Sequence, residues 1–256
     1  AMTEYMVTCD TCQQEMKKFG VTYLGSGSSD VYALLTKKPV RTAEDVKGLR
    51  LRSGGAPFSR WAEHFGAVPA NIGVGDTFES MSQGVIDGSM ASIGDLLSFR
   101  LVELVTNITF VPLGTYHATS DFTVANVAWE SLSAEERKQL ATAANRANVI
   151  FTQRWSYDMA AEAKAAAEKA GIEFIEPDAA FVQAAEEFAE ADKETAAKVS
   201  QERFGFEDAA ERVARFAGLV DKWNGIVKEA GGNPDAIAKR LDEEVWSKVD
   251  FATYGM

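Results

Sequence analysis

"RTAEDVKGLRLRSGGAPFSRWAEHFGAVPANI", residues 41–72, carries the pattern that sets the fold. Leucine and arginine alternate over Leu49–Arg52, and a strand turns alternate side chains to opposite faces. Leu49 and Leu51 are expected to pack inward, with Arg50 and Arg52 projecting together from the other face. Ser53-Gly54-Gly55 ends the strand. Pro57 suits a first helical turn, and Phe58, Trp61, Ala62 and Phe65 follow at helical spacing as far as Gly66. "AVPANI" is extended again, so a strand, a helix and a second strand follow one another.

The same alternation continues downstream. Asp76-Thr-Phe-Glu79 reads as a capping-box variant, opening a helix that Gly84 closes. "VIDGSM" is a strand, "GDLLSFRLVELV" a helix and "NITFVPL" a strand, which implies a mainly parallel sheet with helices on both faces. Upstream, Tyr5 to Gly20 reads as one helix and Val21–Leu24 as a strand. "GSGSSD", 25–30, is turn chemistry, either a flexible loop or a set of amides and hydroxyls lining an anion pocket, and Val31–Thr36 is a further strand. No G-x-G-x-x-G or G-K-[ST] accompanies that turn, so a nucleotide loop is poorly supported. "DFTVANV" is extended, and Ser133-Ala-Glu-Glu136 is a capping box. From Ala134 to Ala170 there is neither Gly nor Pro, giving a helix of roughly 55 Å, long enough to bridge two lobes. "GIEFIEP" is a short strand, and helices follow at about 178–200, 207–230 and 234–247.

With 38 acids against 26 bases and a net charge of -12, a nucleic-acid or anionic-membrane surface is not expected. No apolar run approaches the ~18 residues of a membrane span. Ala1-Met2 reads as a processed end or a cloning remnant. Two cysteines and two histidines argue against a zinc or iron–sulfur protein, and no metal or cofactor is expected. Cys9 and Cys12 form C-D-T-C. A redox pair would need a preceding strand and a metal site a second ligand pair, so the favoured reading is two helix-borne thiols or a small local disulfide. Catalytic signals are sparse. There is no G-x-S-x-G, His64 sits on a solvated helix face, and the late carboxylates read as solvated faces with lysine support. His117, between two strands, suits a pocket donor better than a general base. A binding protein is favoured.

"RTAEDVKGLRLRSGGAPFSRWAEHFGAVP", 41–69, followed by "TFESMSQGVIDG", 77–88, resembles the solute-binding proteins of tripartite ATP-independent periplasmic (TRAP) transporters. The likeness runs on through "WESLSAEERKQL", 129–140, to "VWSKVDFATYGM" at the end. It implies an α/β two-lobe periplasmic-binding-protein-like fold, a long helix spanning both lobes, and a cleft that closes on an organic acid. It also implies that Arg52, at the strand end, holds the ligand carboxylate as a bidentate fork. Gly54 would let backbone approach closely, and Arg50 would be solvated or paired with an acid. The family often carries D-G-x-x-N-P, whereas here the run is Asp87-Gly88-Ser89-Met90-Ala91-Ser92. A second arginine found in some members is matched by Tyr32. Both departures suggest a monocarboxylate with an apolar or aromatic body. Tyr32, Met90, Tyr116 and His117 are the candidate wall, with Ser28 from the serine-rich turn.

Relative to the family, the front of the first lobe is expected to be missing, leaving an N-terminally truncated fold. The expected division is 1–29 and 117–160 in the first lobe, 30–116 and 161–256 in the second. A homodimer or domain-swapped dimer would cover the surface so exposed. The implied role is a periplasmic, non-enzymatic carrier that delivers its acid to a TRAP membrane permease. The competing reading is an α/β enzyme or regulatory domain that binds a small carboxylate, and a third is an interaction protein using the helical C-terminal half.

Overall fold

The computed structural model describes residues 1–118 and 120–256. The chain divides into two compact units, 1–28 with 117–154 and 208–256, and 29–116 with 155–207. The C-terminal helices therefore group differently from expectation: 208–256 belongs to the first unit, and the second resumes at 155, not 161. Packing gives the reason. Helix Pro234–Glu244 lies on helix Ala134–Gln153, and Ala209–Glu229 lies on Met2–Val7. Val149, Trp223, Ile226, Ala238, Leu241 and Val245 form their shared core.

The strands, in chain order, are β1 (Val21–Gly25), β2 (Ser28–Thr36), β3 (Arg50–Arg52), β4 (Val68–Ala70), β5 (Gly88–Ser92), β6 (Asn107–Thr109), β7 (Thr115–His117), β8 (Phe122–Ala125) and β9 (Glu173–Ile175). In the first unit β1 and β8 form an antiparallel pair. The larger sheet runs β4-β3-β5-β2-β6-β9, with β7 also on β2. β3 is parallel to β4 and β5, and β6 to β9, but β2 runs antiparallel to both β5 and β6. The sheet is mixed, not mainly parallel, because its nine-residue central strand is reversed.

Both faces of this sheet are covered. Leu34 and Met90 face Val46, Leu51, Trp61 and Phe181, under helices Ala56–His64 and Ala179–Phe204. Ala33, Leu35 and Ala91 face Met81, Leu96, Ala163 and Ala167, under helices Thr77–Ser82, Asp95–Ser98 and Met159–Ala170.

Several local expectations hold in detail. Ser133 and Glu136 form both halves of the capping box. The long helical run occupies 134–170, with a π-helical turn at Arg154–Asp158 where the chain passes from one unit to the other. Others differ. Tyr5–Gly20 is two helices, Met2–Val7, ending at Thr8, and Asp10–Lys18, which the Cys9 side chain caps. Asp76 makes no side-chain cap bond among the described residues. "GDLLSFRLVELV" is a short α-helix and a 3-10 turn, divided by Arg100 at φ 57.

Candidate functional site

Residues 41–69 fold by local rules that aim Arg52. Thr42 and Asp45 make a reciprocal capping box, and the Asp45 carboxylate also takes the amide of Arg41 at 2.9 Å. Gly48, at φ +75, turns the chain into β3. Arg50 pairs with Asp87 through two bonds of 2.9 and 2.8 Å, and the same carboxylate accepts the Arg50 amide at 2.9 Å. Asp87 of "VIDG" thus clamps β3 beside β5, and of the two expectations for Arg50, solvation or pairing with an acid, the pair forms. Asp87 is held below the usual carboxylate range by its bonds from Arg50.

Arg52 lies one position past the fully buried Leu51 and is itself only 7 % exposed. Its Nε donates to the carbonyl of Ile72 at 3.2 Å, while its Nη1 is buried without a hydrogen-bond partner among the described residues. The topology decides what gathers around it. The carboxyl ends of β3, β4 and β5 share an edge with the amino end of the reversed β2. That edge collects Arg52, the Ile72 carbonyl, Asp95 after β5, and Asp30 and Tyr32 from β2. A Cβ on Gly54 would lie 3.4 Å from Arg52 Nη1 and 3.6 Å from the Tyr32 hydroxyl, so the glycine backbone lies close to both groups.

An aromatic column stands beside the cation. Tyr32 stacks on Phe58 at 4.8 Å and on Tyr116 at 6.2 Å, and Tyr116 is 38 % exposed. Burial, reinforced by the neighbouring Asp95, pushes the Tyr32 phenol up to about 12. Burial also pushes Asp95 up to about 7, against the pull of Arg52 and with added repulsion from Asp30. Asp30 is raised by burial too, although it accepts bonds from the Ser92 hydroxyl and the Ile93 amide.

Arg52, Tyr32, Gly54 and Tyr116 therefore come together within the second unit. Met90 does not join them as a wall: it is 0 % exposed and packs with Leu34 and Leu51 inside the core. Ala91 is buried on the opposite face, so its lack of an amide says nothing about ligand polarity. Both residues sit on a strand paired on each side and covered on each face. Ser28 and His117 belong to the first unit, where the serine hydroxyl and His117 Nδ1 share a hydrogen bond of 2.5 Å. Burial lowers the His117 pKa. Sequence reasoning missed Asp30, Asp95 and Phe58 as neighbours of the site. Asp95 follows β5, parallel to β3, whereas Asp30 reaches the same edge only because β2 is reversed.

A family model described as bacterial extracellular solute-binding protein, family 7, matches residues 4–199. The chain belongs to this family. Among curated relatives of this family 7 chain, a solute-binding protein of Albidiferax ferrireducens is 30% identical over 79 residues, 31% of this chain and 23% of that protein. One of Roseobacter denitrificans is 27% identical over 156 residues, 59% of this chain and 46% of that protein. The matched stretches thus span about a quarter to a half of these relatives. The fold is that of the two-lobe TRAP periplasmic solute-binding proteins. One from Bordetella bronchiseptica, with bound (R)- and (S)-mandelate, superposes at TM-score 0.68 with 23% identity, over 87% of this chain and 72% of that one. A Bordetella pertussis extracytoplasmic solute receptor binding pyroglutamic acid also gives 0.68, at 19% identity, over 83% and 68%. Nothing in these likenesses supports the expected dimer. Among the described residues, no helix is long and apolar enough to cross a membrane.

Proposed function

We propose that this family 7 protein captures a small monocarboxylate with an apolar or aromatic body in the periplasm and hands it to a TRAP membrane permease. The observation that carries the reading is Arg52 Nη1, a buried donor that meets no acceptor in hydrogen-bond geometry among the described residues, with Gly54 and the Tyr32 phenol close by and the Phe58–Tyr32–Tyr116 column beside it. Buried polar groups are nearly always paired, and a carboxylate would supply the missing acceptor with charge-assisted strength. The aromatic column supports an apolar ligand body. The mandelate and pyroglutamate complexes of the two Bordetella proteins support a small acid.

Calorimetry with mandelate and pyroglutamate tests this. Binding of either acid is expected, with at least about a hundredfold loss in Arg52→Ala, from an interaction of about 3 kcal/mol. Arg52→Lys should also be costly, since a point charge does not reproduce the fork. Unchanged affinity in either variant removes Arg52 from the site. Consumption of the acid, followed by NMR, would instead favour an enzyme on the same scaffold.

A further inference from the structure

We propose that the Cys9–Cys12 disulfide is a reversible exchange site for low-molecular-weight thiols, opened by attack on Cys12 with Cys9 as the leaving group. The two cysteines are bonded and stand at the start of helix Asp10–Lys18. They are not equivalent. Cys9 is 5 % exposed and occupies the N-cap, whereas Cys12 is half-buried on the first turn. An incoming thiolate therefore reaches Cys12 more readily.

The Cys9 sulfur is already solvated as an anion would be. It accepts the Cys12 amide at 3.2 Å, lies 3.4 Å from the Thr11 hydroxyl, and has Arg212 Nη1 at 4.0 Å. A helix N-terminus and a guanidinium both favour thiolate, and a thiol of lower pKa leaves faster. Reduction costs the helix little, because the Cys9 thiolate keeps the cap that the bonded sulfur now provides. A cavity of about 230 Å³ adjoins Cys9, and its lining includes Arg212, Arg215, Asp10 and Asp208. The acids oppose the cations. Asp208 is committed to Arg212 at 2.7 Å, and Asp10 is exposed at the first helical position.

The chemistry balances with the thiol as reductant. A thiolate R–S⁻ attacks Cys12 Sγ, forming R–S–Sγ and breaking the Sγ–Sγ bond, whose electron pair leaves on Cys9. A second R–S⁻ attacks the R sulfur, forming R–S–S–R and releasing the Cys12 thiolate. The protons of the two thiols pass to Cys12 and to Cys9 or solvent. Two thiols are oxidised as one protein disulfide is reduced, and R–S–S–R drives the reverse.

The test equilibrates the whole native protein with mixtures of reduced and oxidised glutathione, followed by acid quench, alkylation and peptide mapping. Reversible formation of the dithiol is expected without loss of native circular dichroism, through an intermediate carrying glutathione on Cys12 with Cys9 free. Arg212→Met should lower the dithiol-to-disulfide ratio about tenfold, equivalent to one pKa unit on the thiolate. Asp208→Asn, which leaves Arg212 in place without its competing carboxylate, should raise it. A merely structural role for that ion pair would move both variants the same way. A disulfide that opens only in urea, glutathione found on Cys9, or variants that shift together or not at all would overturn the proposal.

Discussion

Asp95 is the residue where the proposed chemistry is most exposed to pH. Its carboxyl is pushed up to about 7 by burial, so the folded state holds its proton far above the ordinary carboxylate range. The stability this proton confers is fully present below the unfolded value near 4. It is lost as pH rises through about 7, at about 1.4 kcal/mol per unit between those limits. Asp95→Asn should therefore match the parent's melting temperature near pH 4 and exceed it increasingly up to pH 7, with a plateau beyond. A parent and variant that track each other across this range would contradict the assignment. A carboxylate on Arg52 also prefers a neutral neighbour, so acid affinity in the parent should weaken above pH 7, and Asp95→Asn should flatten that profile. Gly54 makes a second, steric case. A methyl group there would stand 3.4 Å from Arg52 Nη1. Gly54→Ala should cost acid affinity at least about tenfold by covering the donor, while urea unfolding shifts by less than about 1 kcal/mol.

At the level of elements, Arg137 does for the first unit what Asp87 does for the second. It is 5 % exposed on helix Ala134–Gln153, and its guanidinium reaches the carbonyls of Trp129, Glu130 and Phe251 at 3.0, 3.2 and 3.2 Å. One side chain thus ties the helix to "WES" before it and to "FATYGM" at the end of the chain. Arg137→Met should destabilise by about 3 kcal/mol in urea, because the carbonyls keep their burial and lose a charged donor. In contrast, Cys9→Ser with Cys12→Ser should leave acid affinity unchanged, as serine retains the cap and Arg52 lies in the other unit.

These elements also show where the sequence was legible. Ser133–Glu136, the helix stops at Gly66 and Gly84, and the 134–170 run were readable because caps, left-handed turns and the absence of helix breakers act within a few residues. The direction of β2 was not, since strand pairing is set by partners such as Met90 and Thr109, far along the chain. Burial of Met90 and Ala91 escaped for a related reason: a strand covered on both faces loses the alternation that marks inside from outside. Arg52 was legible as a strand-end cation, but its Asp30 neighbour was not, because Asp30 reaches that edge only through the reversal of β2.

The whole molecule crosses between its two units four times, after residues 28, 116, 154 and 207. Those crossings set a timetable for a chain made from its N-terminus. The second unit has all its residues once position 207 has emerged, whereas the first waits for its last segment, with Trp246 and Phe251 completing the core around Leu24 and Trp129. β1 thus leaves the ribosome before the second unit, meets its partner β8 between that unit's two segments, and waits until after 207 for the rest of its core. Removing 246–256 should strip hydrogen-exchange protection from β1 and β8 while β2, β5 and β6 keep theirs. Equal loss in both units would show that they mature together. Without the segment from Trp246 onward the first unit keeps an unfinished surface around Leu24 and Trp129 while the second unit is spared, so a late truncation falls unequally on the two halves of one polypeptide.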